Sequence, residues 1–193
     1  MMALRADAAM RGRTGRATAL TVVNFVVFEA AWFACVIGAA HQRVPAGIVA
    51  VAAAVALQLA IGGDARRDLK LVGAALATGL VWDSAMVQAG WIAYASPGPW
   101  PLVAPAWILA LWALFATALP VSLRWLQRRP VAAALLGAIG GPLSYLGAER
   151  LGACQLLERT PAITALAVGW AVITPVLVAL THRFETNGGA GDV

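Results

Sequence analysis

A chain of 193 residues that is 61% hydrophobic and 12% charged cannot bury its apolar side chains in a single soluble core, so the excess has to face lipid. Its net charge of +5 comes from Arg and Lys scattered between apolar runs. That pattern speaks against a nucleic-acid surface and reads as loop charge that sets membrane topology.

The first segment, residues 1–17, is basic through Arg5, Arg11, Arg13 and Arg16. It resembles the n-region of a signal peptide, but the apolar run from Thr18 to Ala40 exceeds the usual h-region. At about 1.5 Å per residue this run crosses a hydrocarbon core of about 30 Å, which predicts an uncleaved first helix. Five further runs have spanning length, and the expected helices are about 18–40, 44–61, 69–90, 104–121, 131–149 and 161–180. They are too long and too evenly apolar for strands, and unpaired backbone groups in lipid leave helices as the solution. A transmembrane domain over 18–182 is followed by a polar tail, 183–193. The third-to-fourth connection has no charge and carries Trp91, Tyr94, Trp100 and Trp107. These rings suit an interfacial aromatic belt, or a lid stiffened by Pro99 and Pro101.

The fold class is therefore all-α: a polytopic membrane protein with a six-transmembrane-helix bundle. Eleven of its fourteen basic residues fall on the side of the N-terminus, the even-to-odd connections and the tail; Arg43, Arg150 and Arg159 fall on the other. Both termini are expected to be cytoplasmic, in a bacterial inner membrane. Cys35 and Cys154 read as free thiols in apolar surroundings. No Cys/His spacing suits a metal and no cofactor motif occurs, so neither is expected.

Polar residues inside the spans carry the functional signal, because charge at membrane depth is costly and usually faces the bundle interior. Asp83 follows Ala75 and Gly79 at four-residue spacing, a small-residue strip that admits a neighbouring helix closely. Glu29 shares its face with Phe25, Trp32 and Phe33, while Asn24 falls about 140° away, so the two cannot line one narrow pocket. In the fifth run Gly140, Gly141 and Pro142 predict a kink or break near the midplane. Beyond it Ser144, Tyr145 and Glu149 follow, with Arg150 able to neutralise Glu149 or Asp83. Ser84 completes the candidate set. Gln58 and Thr174 are the polar residues of note on the even helices.

The segments "NF", "WFACVIGAA", Asp83-Ser84, "LWALFA", "SLRWL" and "GAIGGPLSY", between about Asn24 and Leu180, resemble a family of bacterial inner-membrane proteins classed as domain of unknown function 2878. The resemblance implies the same fold and localisation and brings no mechanism with it. It also implies Gln as the commoner residue at the position of Glu29, and so a neutral hydrogen-bonding role there.

Three functions compete. The first is binding or transport of a small amphipathic molecule in a polar cavity among the first, third and fifth helices. The second is a membrane enzyme acting on a lipid or isoprenoid, with Asp83 as general acid or base and Tyr145 positioning substrate. The third is a scaffold subunit whose polar groups bind partner helices. Membrane lipid is the expected surrounding in each case, and no nucleic acid partner is expected.

Overall fold

The computed structural model describes residues 2–61 and 64–188. Within the expected basic segment 1–17 it describes the backbone from residue 2 but none of the side chains; the tail beyond residue 188 lies outside the described residues. The described residues are 78% helical. Helices α1 (Met2–Ala40), α2 (Val44–Ile61) and α3 (Ala65–Gln88) come first, followed by strand β1 (Ile92–Tyr94) and α4 (Ala106–Ala118). A short 3-10 turn (Arg124–Leu126), α5 (Pro130–Arg150), strand β2 (Cys154–Leu156) and α6 (Arg159–Gly188) complete the order. Among the described residues, five helices are long and apolar enough to cross a membrane, as a multi-pass membrane protein requires.

Local sequence sets the helix ends. Asp64 caps α3 by accepting from the Arg67 amide at 2.9 Å, satisfying a donor that the first turn leaves open. Pro130 begins α5, where its missing N–H and fixed φ cost nothing. The fourth helix is shorter than its apolar run suggested. It begins after Pro105 and stops at Ala118, just before Pro120. Its 13 residues rise only about 20 Å. Beyond it the chain tightens into turns and the 3-10 segment, with Leu119 and Leu126 still buried.

The two strands were not expected from the sequence. α3 and α5 each end on a left-handed glycine, Gly90 (φ 71°) and Gly152 (φ 82°), followed by a residue whose amide reaches back to the helix: Trp91 to Met86 and Ala153 to Ala148. Each exit then feeds a three-residue strand, and the two pair antiparallel with Tyr94 opposite Cys154. The pair joins the ends of α3 and α5 and folds Tyr94 inward, where it is 8% exposed.

α4 lies at the centre, packed against α1, α2 and α3, while α5 runs along α6 and α6 also touches α3. Tryptophan rings seat on glycines at these crossings. A Cβ on Gly79 would fall 2.2 Å from the Trp112 ring, on Gly141 2.3 Å from Trp170, and on Gly169 2.1 Å from Trp82. Of the kink or break expected in the fifth helix, the break does not occur: α5 runs continuously through Gly140, Gly141 and Pro142. The reason lies in these contacts, because Gly137 and Gly141 are the surface on which α6 packs. Close packing against α6 holds the helix across the one ladder bond the proline removes.

Candidate functional site

Asp83 is fully buried on α3, and three donors from three other elements converge on it. The Tyr94 hydroxyl of β1 donates to Oδ1 at 2.7 Å, the Tyr145 hydroxyl of α5 donates to the same oxygen, and the Trp112 indole N–H of α4 donates to Oδ2 at 2.6 Å. The donor set matches the needs of a carboxylate, which only accepts. Indole nitrogen cannot accept a proton, so Oδ2 has to be a bare acceptor. Burial, and secondarily the Asp83 charge, hold the Tyr94 hydroxyl well above the usual tyrosine range, so it remains a donor.

All three donors line a cavity of about 470 Å³, but Asp83 itself does not reach its wall. The wall is built by α1, α4, α5 and α6, with Tyr94 and Cys154 at the strand end. The polar cavity expected among the first, third and fifth helices is thus replaced by an aromatic one to which α3 contributes no surface. On α1 the lining runs from Phe25 to Val36 and on α5 from Leu136 to Ala148, a depth of about 17 Å along the helix axes. α1 packs on α2 and α4 rather than along α5. The gap between α1 and α5 has apolar lips, Phe25, Leu136 and Leu143, which are 55%, 39% and 60% exposed. Toward the strand end it narrows, where a Cβ on Gly147 would sit 3.3 Å from the Trp32 ring. The cavity therefore opens sideways, toward where acyl chains would lie.

Glu29 lies on this wall, half-buried, and no side chain or amide among the described residues donates to it. That differs from the neutral hydrogen-bonding role implied by the family likeness. Ser144 is also on the wall, its hydroxyl turned back to the Gly141 carbonyl at 3.1 Å. Gly140 and Gly141 line it too. Two further wall groups, Thr174 Oγ1 and the Trp170 indole N–H, are buried without a hydrogen-bond partner. They stand one turn apart on α6. Trp170 stacks on Trp112 with centroids 4.7 Å apart.

The other candidates lie elsewhere. Asn24 donates to Gln58 Oε1 at 2.9 Å and accepts from Ser122 Oγ at 2.5 Å, joining α1 to α2 and to the segment after α4. Ser84 accepts from the Ala104 amide at 2.9 Å and pins the start of the α4 approach. Glu149 pairs with Arg159 at 3.2 Å and accepts from the Leu156 amide at 2.9 Å, so it secures the strand pair to α6. Arg150, expected to neutralise Glu149 or Asp83, is exposed and does neither. It follows Glu149 in a helix and so points about 100° away. Trp112, Trp170 and Tyr94 were missed as site residues. In sequence an aromatic within an apolar run gives no sign that its N–H or O–H is aimed at a carboxylate.

A family model described as "Protein of unknown function (DUF2878)" matches residues 21–176. The chain belongs to this family. The match takes in the Asp83 cluster and the whole wall of the cavity, so both lie within the family's own span. No curated protein and no solved structure matches the chain.

Proposed function

We propose that this chain is a six-span protein of the bacterial inner membrane, with both termini cytoplasmic, that takes a small amphipathic molecule sideways from the bilayer and binds or moves it. The carrying observation is the laterally open aromatic cavity between α1 and α5. Its volume of about 470 Å³ falls within the range of pockets that enclose small organic molecules. The distribution of basic residues supports the topology, and α4 with the turn through Leu126 supplies the sixth crossing.

The competing enzyme reading loses its proposed acid or base, because both oxygens of Asp83 are covered by their donors and neither faces the cavity. The scaffold reading needs intramembrane polar groups free to meet a partner helix; Asn24 and Asp83 are bonded inward, and the unpartnered Glu29 lines the cavity.

The test is binding of the neutral lipophilic dye N-phenyl-1-naphthylamine to the protein in nanodiscs, set against a variant that fills the mouth. Gly140 lines the cavity, and a Cβ there meets nothing within 4 Å, so Gly140→Trp places an indole in the opening without disturbing α6. Saturable binding by the wild type and its loss in Gly140→Trp are expected; equal dye uptake by both would overturn the reading.

A further inference from the structure

We infer that the cavity selects a lipophilic cation, with Glu29 as its charge partner and the aromatic wall as its cage. The inference rests on the cavity-binding reading above and adds the sign of the ligand's charge.

The wall contains one carboxylate, that of Glu29, and no Lys, Arg or His. An anionic headgroup entering from the bilayer would meet no cation, and four of the wall's donors are engaged elsewhere, while the unpartnered Trp170 N–H and Thr174 hydroxyl are neutral and buried. The Tyr94, Tyr145 and Trp112 donors point to Asp83, and Trp107 Nε1 donates to the Ser96 carbonyl at 3.0 Å. An isoprenyl or lipid phosphate is poorly matched to this surface.

For a cation the match is direct. Glu29 is unpaired on a wall shared with Phe25, Phe28, Trp32 and Phe115, so an entering cation supplies the counter-charge that the protein omits. Ring faces attract cations, most strongly where water is excluded. Deeper on α6, the stacked Trp112–Trp170 pair continues the aromatic surface. On the same helix the Thr174 hydroxyl and the Trp170 N–H add two neutral polar groups without partners among the described residues. A hydrophobic body with a diffuse or alkylated positive centre answers both the lone carboxylate and the aromatic wall.

Tetraphenylphosphonium and tetraphenylborate have nearly the same shape and opposite charge, so the pair isolates the sign. Each is titrated separately against the protein in nanodiscs, read by quenching of tryptophan fluorescence and corrected with empty nanodiscs. Wild type is expected to bind the phosphonium saturably and the borate at least tenfold more weakly. Glu29→Gln should weaken the phosphonium tenfold or more and erase the discrimination, while Glu29→Asp, which keeps the charge, retains it. Gel filtration confirms that each variant is folded. Equal affinity for the two ions in the wild type, a preference for the borate, or a Glu29→Gln variant that still discriminates would overturn the inference. If N-phenyl-1-naphthylamine binds saturably in those cases, only the charge assignment fails. If neither ion nor the neutral dye binds saturably, the cavity-binding reading fails with it.

Discussion

Replacing Asp83 separates its bonding role from any chemistry. Asp83→Leu leaves the Tyr94, Tyr145 and Trp112 donors without their acceptor in a site with no water-exposed surface. Intramembrane hydrogen bonds measured by mutant cycles average about 0.6 and reach about 1.7 kcal/mol, so three bonds to one carboxylate set a loss of roughly 2 to 5 kcal/mol. Complete burial places the expectation in the upper half of that range. Asp83→Asn is not neutral either. Its carbonyl can serve the two tyrosines, but its NH₂ then faces the Trp112 N–H across 2.6 Å, two donors opposed, costing about 1 to 2 kcal/mol. Trp112→Phe removes the opposing donor, so its cost should be smaller in the Asp83→Asn background than in the wild type. The assay is unfolding by SDS in mixed dodecyl maltoside micelles for the four proteins of the cycle. Strict additivity, or an Asp83→Leu variant as stable as the wild type, would refute the account.

Among the remaining predictions, Gly137→Ala and Gly140→Ala should move stability in opposite directions. The first drives a Cβ to 2.1 Å from the Trp170 carbonyl oxygen and the second meets nothing within 4 Å, so about 1–3 kcal/mol should be lost by overpacking and up to about 1 gained from helix propensity in the same SDS assay. In a Cys35→Ala background, Cys154 should resist alkylation at pH 8. Burial pushes its thiol up to about 12, leaving its thiolate roughly a thousandfold scarcer than in an ordinary cysteine; labelling by a soluble maleimide at the rate of a free peptide thiol would contradict this. In a cysteine-free background, an impermeant maleimide added to intact bacterial cells should label Trp100→Cys and spare Arg66→Cys. Both positions are exposed, and the reverse pattern would invert the proposed topology.

The parts of this fold that follow from periodicity could be read from the sequence. The strip Ala75, Gly79, Asp83 is buried along its whole length, because four-residue spacing keeps one helix face and small residues admit a neighbour. The flanking prolines that shorten α4 were visible too, but hydropathy alone outweighed them in setting the ends of that span. What could not be read is where one helix's side chains land on another. Pro142 with Gly140 and Gly141 gave the pattern of a break, yet Gly141, like Gly137 a turn earlier, is a seat for α6, a fact that resides in the partner helix. The strand pair likewise depends on two glycine exits far apart in sequence meeting in space. Three residues each are too few to register as a pattern.

The two acidic residues at the centre of the sequence signal divide the work. Asp83 holds α3, α4, α5 and β1 in register through one buried carboxylate. Its reach is wide because each donor belongs to a different element. In doing so it fixes the orientation of the Tyr94, Tyr145 and Trp112 rings, which form part of the cavity wall. Glu29 makes no such bond among the described residues and stands on the same wall. A carboxylate that completes the fold has to be fully partnered, and one that meets a ligand has to be left unpartnered in the empty protein. Burial depth alone would have ranked Asp83 as the reactive group. Counting donors reverses that ranking and makes Glu29 the residue whose charge the contents of the cavity would have to answer.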